Sequence, residues 1–272
     1  MHITTVELGE RSYPIYLGEN ILERLPEIYR SLNFPQRVAI VCDTKVVRLH
    51  LKKFISVLQQ HNIKTTNIII PTGERQKSLT RASRLYDELV KHRFTRNDAM
   101  IAFGGGVVGD LTGFVAATFR RGVPYIQVPT TLLAQVESSI GGKTAVNHPT
   151  SKNAIGVFYQ PKLVFSDVHF LSTLPRREII CGLGEVLKYG YLDENVFTFL
   201  EQHLEEIFKS DLNIMEEIIL RCNVLKAKLI VEDEYETNPN GGRAVLNLGH
   251  TIGQSLEVLS NYRLHHGEAV LV

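Results

Sequence analysis

The sequence predicts an α/β nucleotide-binding domain of the Rossmann type followed by an all-helical domain. Over residues 1–170, short apolar runs alternate with amphipathic stretches of helical length, and one of these runs leads into a glycine-rich turn. Beyond residue 170 the pattern is helical throughout. Strands that alternate with helices form parallel sheets covered on both faces. We therefore expect an α/β domain over 1–170 and a helical domain over 171–272.

Seven strands are predicted in the first half of the chain. VEL and YPIYL, separated by GERS, are typical of a short hairpin. The later strands are RVAIVCD, TTNIIIP, AMIAFGGG, YIQVP and KLVFSD. Helices are predicted between them over 46–61, 79–92 and 108–119. The alternation stops near Asp167, which sets the expected end of the sheet.

The second half of the chain predicts helices only. Pro175 precedes helical patterns over 176–191, 194–208, 211–234 and 246–260, and NPNGG indicates a surface turn. The final HHGEAVLV resembles the first turns of one more helix. Because neither a C-cap nor a polar tail follows it, we expect part of the protein to lie beyond Val272.

Composition and charge narrow the class of protein. Of the 272 residues, 44% are hydrophobic and 22% charged, an ordinary soluble composition, and the formal net charge is +1. The chain therefore has no excess of positive charge that would indicate binding to nucleic acid or to an anionic membrane. Three widely spaced cysteines indicate reduced thiols. The N-terminus has no signal-peptide pattern, and no apolar run reaches about 18 residues, so we expect a cytoplasmic protein.

The glycine-rich turn is a candidate phosphate site. Gly104, Gly106 and Gly109 follow a predicted strand with GxGxxG spacing and open a predicted helix. Glycines let the backbone approach a phosphate, and a helix N-terminus offers free N–H groups. The motif is weak alone, because no acidic residue ends a strand about 20 residues later. Tight packing of the helix on the strand is the alternative explanation.

Two further loops favour a nucleotide site. Asp43 ends RVAIVCD, where a carboxylate can accept hydrogen bonds from a ribose, and PTGERQK places Glu74 and Lys77 after TTNIII. A single acid in such a loop is usually a helix cap. Ligands of open parallel sheets, however, collect at the carboxyl ends of the strands. Three such loops at one edge predict a bound nucleotide.

The helical half carries residues of the metal-binding type. Glu185 lies in GLGEVLKYG one turn before Lys188, His250 lies one turn before Gln254, and His266 belongs to HHGEAV. A carboxylate and two imidazoles suit zinc or cobalt and leave a coordination position open. The sequence spacing alone does not distinguish this set from ordinary helix-surface residues.

Several cations are candidate anion holders. Lys143 follows two glycines in SSIGGKT, Lys152 and Asn153 form SKN, and Lys226 and Arg243 flank the NPNGG turn. Charged residues usually belong to solvated faces. A lysine beside glycine or asparagine is nonetheless a suitable phosphate ligand.

Seven motifs in order resemble the 3-dehydroquinate synthase family. They are PTGExxK, GGGVVGD, VPTTLLAQVxSSIGGKT, KNxIGxFYQP, GxGEVLKYG, NLGHTIG and HGEAV, and the resemblance runs from about residue 38 to the end. It implies an α/β domain that binds NAD and a helical domain that binds a divalent metal. It also implies a shikimate-pathway enzyme that converts 3-deoxy-arabino-heptulosonate 7-phosphate to 3-dehydroquinate and phosphate. The implied steps are transient oxidation by NAD, phosphate elimination, reduction and aldol closure.

The resemblance also implies the role of individual residues. The implied zinc or cobalt ligands are Glu185, His250 and His266. The implied NAD contacts are Asp43, Thr72, Gly73, Glu74, Arg75, Gln76, Lys77, Gly106, Val107, Val108, Gly109, Asp110, Thr130, Thr131, Lys143, Lys152, Phe170, Leu171, Ser172 and Thr173. The implied catalytic and substrate contacts are Lys143, Lys188, Lys226, Arg243, Asn247, Asn153, Gln254 and Arg121. Arg121 resembles an arginine that reaches the neighbouring subunit's phosphate pocket, which implies a homodimer.

Three departures from the family pattern bear on activity. Glu137 stands where the family usually has Asp, and Gln254 stands where it usually has His. A basic residue expected downstream would lie beyond Val272. A glutamine hydrogen-bonds but carries no proton at neutral pH. If the family histidine moves protons, activity is in doubt; if it contacts phosphate, Gln254 suffices.

Three other functions remain open from the sequence. Another sugar-phosphate cyclase, of the deoxyinosose or valiolone type, would share the NAD and metal motifs, although Lys226, Arg243 and Asn247 match the dehydroquinate pattern. A metal-dependent polyol dehydrogenase would release NADH, and SSIGGKT argues against it. A non-catalytic NAD-binding fragment is the third alternative.

Overall fold

The computed structural model describes residues 1–271, with nine strands and a series of helices. The strands are β1 His2–Val6, β2 Tyr13–Gly18, β3 Arg37–Asp43, β4 Lys64–Ile70, β5 Ala99–Gly104, β6 Tyr125–Pro129, β7 Lys143–His148, β8 Ser151–Phe158 and β9 Leu163–Asp167. Seven form one sheet in the order β1-β2-β9-β6-β5-β3-β4, and β7 and β8 form a separate hairpin. Only β1 pairs antiparallel in the large sheet.

The helices cover the sheet and then form the second half of the chain. They are α1 Leu25–Ser31, α2 Thr44–Val46, α3 Lys52–Gln60, α4 Leu79–Lys91, α5 Gly106–Thr118, α6 Arg176–Leu192, α7 Glu194–Gln202, α8 Leu204–Phe208, α9 Leu212–Glu232, α10 His250–Leu259 and α11 His266–Val270. A π-helical turn, Val47–Leu51, joins α2 to α3. Within residues 1–271, no helix is long and apolar enough to cross a membrane.

Strand β3 shows why the sheet needs helices on both faces. Its residues 38–42 are all fully buried. Successive side chains of a strand point to opposite faces, so Val38 and Ile40 pack into one apolar cluster while Ala39 and Val41 pack into another. A continuous apolar run is the expected pattern for such a strand. The predicted α/β architecture and its parallel strands are confirmed.

The strand order creates a crevice at the carboxyl edge of the sheet. From β3 the chain moves outward to the edge strand β4 and then returns to β5, on the other side of β3. Connections that leave two neighbouring strands in opposite directions open a crevice between them, where ligands of open α/β sheets bind. The loops that follow β3, β4 and β5 therefore meet at one place, as the sequence predicted.

Five local features differ from the sequence predictions. The first strand of the hairpin is His2–Val6 and not VEL. The β7–β8 hairpin and α1 were not predicted, and β8 is mostly exposed and lacks apolar alternation. The helix expected over 194–208 breaks at His203 into α7 and α8. The helix expected over 246–260 begins only at His250, because Gly249 adopts a left-handed φ of 77° after a 3-10 turn, Gly242–Asn247.

A glycine contact sets the distance between α6 and α11. A Cβ atom on Gly267 would lie 1.7 Å from the carbonyl oxygen of Cys181, so this position accepts no side chain. The close approach brings the N-terminus of α11, which carries His266, against the middle of α6, which carries Glu185. The glycine of HGEAV is therefore a packing requirement of the site.

Candidate functional site

A cavity of about 870 Å³ lies between the carboxyl edge of the sheet, the β7–β8 hairpin and helices α6, α10 and α11. Most of the residues expected from the sequence line it. They are Asp43, Thr72, Gly73, Glu74, Lys77, Gly106, Val107, Val108, Asp110, Thr130, Thr131, Lys143, Lys152, Asn153, Thr173, Lys226, Arg243, Asn247, His250, Gln254 and His266. Residues far apart in the sequence thus line one cavity.

Other expected residues do not line this cavity. Glu185 and Lys188 are buried directly behind it, and Phe170 and Leu171 belong to the apolar core. Ser172 donates a hydrogen bond to the His169 carbonyl. These three residues of FLST hold the segment in place, and only Thr173 reaches the cavity.

Three more expected residues point elsewhere. Gln76 accepts hydrogen bonds from Arg81, and Arg75 donates to Oδ1 of Asn261 at 2.9 Å. Arg121 is exposed and lies outside the cavity of its own chain, next to the end of α5.

The glycine turn has the geometry of an anion site. Helix α5 begins at Gly106, and its first N–H groups face the cavity with the positive end of the helix dipole. A Cβ on Gly106 would lie 3.0 Å from Oγ of Ser138, so the turn is tight at this point. Gly109 instead packs on β6, where its Cβ would lie 2.8 Å from Oε1 of Gln127. The third glycine of the motif therefore serves helix–sheet packing.

Asp43 acts as a helix cap at the end of β3. Its Oδ1 accepts hydrogen bonds from the backbone N–H groups of Lys45 at 2.7 Å and Val46 at 3.1 Å. Asp43 thus has the role of a helix N-cap, which is common for an acidic residue after a strand. Asp43 also lines the cavity, and its second oxygen has no protein donor within residues 1–271, so it is available to a ligand hydroxyl.

Lys77 joins the loop after β4 to α5 and β8 at the nucleotide side of the cavity. Its buried Nζ lies 2.5 Å from Oδ2 of Asp110 on α5 and 2.5 Å from Oδ1 of Asn153 on β8. Asn147 of β7 in turn donates to Oε1 of Glu74 at 2.8 Å. The β7–β8 hairpin is therefore fastened to the loop after β4 by side-chain hydrogen bonds.

Glu185, His250 and His266 converge beside the cavity. Nε2 of His266 lies 3.0 Å from Oε1 of Glu185, and Nε2 of His250 lies 3.7 Å from the same oxygen. One ligand atom from each residue falls within 4.8 Å of the others. Neither oxygen of the fully buried Glu185 has a well-aligned hydrogen bond among residues 1–271. A carboxylate and two imidazoles directed at one point fit a zinc or cobalt ion.

The three residues of this group differ in charge. Burial lowers the pKa of His266, but Glu185 and Glu257 raise it to about 9, so a metal would displace a proton from this imidazole. Burial alone would raise the pKa of Glu185, but His266 and Lys188 lower it to about 2, so the carboxylate is ionised. Burial lowers the pKa of His250. His250 is therefore held neutral, which is the form that coordinates a metal.

A second group of ligand-type residues lies nearby and fits a metal less well. Atoms of Glu178, Cys181 and His265 also fall within 4.8 Å of one another. The Cys181 sulfur, however, accepts the N–H of Gly267 at 3.3 Å, and burial raises the pKa of this thiol to about 12. The His265 side chain accepts the backbone N–H of Glu268 as an N-cap. The Cys181 sulfur and the His265 imidazole thus already accept hydrogen bonds from backbone N–H groups of α11.

A carboxylate between two lysines lies deeper in the site. Oε1 of Glu137 is 2.7 Å from Nζ of Lys226, and Oε2 is 3.4 Å from Nζ of Lys188 and accepts from the Tyr189 hydroxyl. Burial raises the pKa of Glu137, but the two lysines outweigh it and hold the pKa well below its usual range. Burial lowers the pKa of Lys226 to about 8. Glu137 therefore contacts both ammonium groups, and Lys188 also contacts the Glu185 carboxylate.

Arg243, Lys143 and Asn247 are held by the segment that carries Glu234 and Glu236, two residues that the sequence did not single out. The buried Arg243 guanidinium donates to the Glu234 carbonyl at 2.7 Å. Lys143 and Asn247 both contact the Glu236 carboxylate. Glu236 lies in an irregular loop with no local pattern, so sequence reasoning had no signal for it.

Glu257 is a further residue that sequence reasoning missed, although a signal existed. It follows His250 and Gln254 at i+7 and i+3 on α10, which places all three on one helix face. Its carboxylate contacts both Lys152 and His266.

Family models match most of the chain. The model described as 3-dehydroquinate synthase N-terminal matches residues 67–181, and the C-terminal model of the same synthase matches residues 182–272. A 3-dehydroquinate synthase of Desulforamulus reducens is 48% identical over 267 residues, which are 97% of this chain and 74% of the relative. One of Nitrosospira multiformis is 48% identical over 276 residues, 99% of this chain and 74% of the relative.

Solved structures of related cyclases share the fold. A 2-deoxy-scyllo-inosose synthase, complexed with carbaglucose-6-phosphate, NAD+ and Co2+, superposes with a TM-score of 0.86 at 26% identity, covering 99% of this chain and 72% of that one. A 2-epi-5-epi-valiolone synthase of Streptomyces hygroscopicus, with NAD+ and Zn2+ bound, has a TM-score of 0.82 at 25% identity, covering 99% and 74%. The two family models and the relatives at 48% identity place this chain in the 3-dehydroquinate synthase family.

Proposed function

We propose that the protein converts 3-deoxy-arabino-heptulosonate 7-phosphate to 3-dehydroquinate and phosphate, as a carbon–oxygen lyase that depends on NAD and a divalent metal. One observation carries the proposal. A single cavity joins the N-terminus of α5, the Glu185, His250 and His266 group, and the buried cations Lys226 and Arg243. These are the elements that a dinucleotide, a metal and a substrate with a carboxylate and a phosphate require.

The nucleotide side of the cavity is the proposed NAD site. The pyrophosphate would lie at the first turn of α5, near Gly106, and the ribose near Glu74 and Lys77. Bound NAD would accept a hydride from a substrate hydroxyl carbon and return it later, without net redox change. The residues of this chain position the cofactor and exclude water from it. Two related cyclase structures contain NAD+, which supports NAD as the nucleotide.

Glu185, His250 and His266 are the proposed metal ligands. A zinc or cobalt ion there would polarise a substrate hydroxyl oxygen, and later the ketone oxygen, as a Lewis acid. The ionised Glu185 supplies the negative charge, and the two imidazoles leave a position open toward the cavity. The same two cyclase structures contain Co2+ and Zn2+, respectively, which supports this choice of ion.

The cations deep in the cavity are the proposed substrate holders. Lys226 and Arg243 are buried and line the cavity. Solvent therefore screens little of the attraction between these cations and an anionic group that reaches them. Asn153, Asn247 and Gln254 add neutral donors on the cavity wall. Lys188 contacts the carboxylates of Glu137 and Glu185, and we propose that it acts through them.

Other features of the proposal concern the assembly and its setting. We place the division between the NAD-binding and helical domains near residue 170, and we propose a cytoplasmic homodimer. Arg121 is exposed outside the cavity of its own chain, as expected of a residue that serves a neighbouring subunit. Other sugar-phosphate cyclases are a less favoured alternative, since their structures are 25–26% identical to this chain whereas the synthases are 48% identical.

Removal and return of the two cofactors test the proposal. The protein is treated with a chelator, stripped of NAD, and supplied with the heptulosonate phosphate. We expect no phosphate release until both NAD and Zn2+ or Co2+ are restored, and no release from the Glu185→Ala variant in any mixture. Phosphate release without NAD would contradict the proposed chemistry, and full activity after chelation would contradict the metal centre.

A further inference from the structure

A row of four ionisable side chains connects the β7–β8 hairpin to the candidate metal centre. Lys152 of β8 donates to Oε2 of Glu257 on α10. Oε1 of Glu257 lies 2.7 Å from Nδ1 of His266. Nε2 of His266 then lies 3.0 Å from Oε1 of Glu185. Each link joins a different element of the fold, and Glu257 is only 3% exposed.

The contact with Glu257 decides which nitrogen of His266 faces Glu185. A carboxylate beside Nδ1 holds the proton on that nitrogen and leaves the lone pair of Nε2 free for a metal. His250 is arranged in a parallel way, since its Nδ1 lies 3.2 Å from the backbone carbonyl of Leu248. Both candidate ligands therefore have one ring nitrogen fixed and the other directed at Glu185.

Glu257 itself is poorly placed to be a metal ligand. Both of its oxygens are engaged, one by Lys152 and the other by His266. The Lys152 ammonium, buried with it, also offsets the negative charge that Glu257 would otherwise add near Glu185. The hairpin that carries Lys152 is in turn fastened to the nucleotide side through Lys77 and Asn153.

We propose that Glu257 is a positioning residue for the metal centre, and that Lys152 makes the metal affinity depend on the β7–β8 hairpin. Glu257 holds the tautomer and ring orientation of His266, and Lys152 holds Glu257. This inference rests on the proposed function in one respect, the assignment of Glu185, His250 and His266 as ligands. It adds a residue that acts on the metal centre through His266.

Cobalt titration of the whole chain tests the inference apart from activity. Co2+ is added to the NAD-free protein, and the visible absorption of the bound ion and its dissociation constant are recorded for the wild type, Glu257→Gln and Lys152→Met. We expect Glu257→Gln to weaken Co2+ binding about tenfold to a hundredfold and to shift the absorption bands, as loss of an outer hydrogen-bond partner does at other metal sites. Lys152→Met should weaken binding measurably in the same direction, though by less than Glu257→Gln.

Controls separate this inference from the metal centre and from a folding role. Glu217→Gln, which breaks an exposed ion pair with Arg221 on α9, should bind Co2+ like the wild type. If the wild type and Glu257→Gln bind equally well with equal spectra, the inference is wrong while the metal centre stands. If the wild type binds no Co2+, both are wrong. If Glu257→Gln does not fold, Lys152→Met is the remaining test. A wild-type affinity for Co2+ in Lys152→Met would then overturn the inference.

Discussion

Nζ of Lys226 lies 2.7 Å from Oε1 of Glu137, and this contact keeps a buried ammonium group at the wall of the cavity. Burial lowers the pKa of Lys226 to about 8, although Glu137 opposes the shift. The ammonium is therefore charged at neutral pH and loses its proton well below the usual lysine range. An anion that depends on this charge should bind less tightly in alkaline solution.

This pKa predicts an alkaline limit to activity. The value of kcat/KM should fall as the pH rises above about 8, because the free enzyme then loses the Lys226 charge. Arginine stays protonated throughout this range, so Lys226→Arg should retain a lower but pH-independent kcat/KM up to about pH 10. The exposed Lys228, on the same helix, is the control, and Lys228→Arg should keep the wild-type profile. An unchanged limit in Lys226→Arg would show that another group titrates.

Gly106→Val tests the nucleotide site. A Cβ at this position would already lie 3.0 Å from Oγ of Ser138, and the two methyl groups of valine would project toward the α5 N-terminus. We expect NAD binding to weaken at least a hundredfold, about 2.8 kcal/mol, in a calorimetric titration. Gly190→Ala, on α6 and away from the cavity, serves as the glycine control. Wild-type NAD affinity in Gly106→Val would exclude a pyrophosphate at this turn.

Lys77→Met tests whether the loops around the nucleotide site depend on one buried ammonium group. The substitution leaves the Asp110 carboxylate without its cation and Asn153 without its donor. We expect the free energy of unfolding, measured in urea, to fall by about 3 kcal/mol. Lys91 pairs with Glu88 in solvent, and Lys91→Met should change stability by no more than about 0.5 kcal/mol. If both variants change the free energy of unfolding by the same small amount, Lys77 does not stabilise these loops.

Gln254→His restores the residue that the family pattern leads one to expect. Gln254 lines the cavity one turn after His250, where its amide can donate to a substrate anion. If it is such a contact, turnover should change by less than about tenfold, or roughly 1.4 kcal/mol. Ser255→His, on the exposed side of α10, controls for the added imidazole. A gain of a hundredfold or more in Gln254→His alone would mean that the protein lacks a proton carrier.

The sequence predicted those parts of the fold in which burial imposes a regular pattern. The residues of β3 are apolar on both faces, and the apolar residues of α4 recur with the helical period. Both elements were therefore predicted within one or two residues. Strand β8 is largely exposed, and its polar residues show no alternation. Its pairing with β7 therefore could not be predicted from the local pattern.

The same distinction applies to the candidate site. Glu185, His250 and His266 were identifiable because their residue types suit a metal and because the motifs around them resemble a known family. Glu236 reaches Lys143 through a loop whose path depends on the whole fold. Asp43 could be placed at a strand end, but its capping hydrogen bonds to Lys45 and Val46 depend on atomic positions.

The most direct test of the central claim follows phosphate and NADH in the same reaction. The protein, with NAD and Zn2+ or Co2+, is mixed with excess 3-deoxy-arabino-heptulosonate 7-phosphate, and both products are recorded over many turnovers. The proposed chemistry predicts one phosphate released for each substrate molecule consumed, while NADH never exceeds the concentration of the protein. NADH that accumulates with every turnover, without release of phosphate, would identify a dehydrogenase and contradict the account.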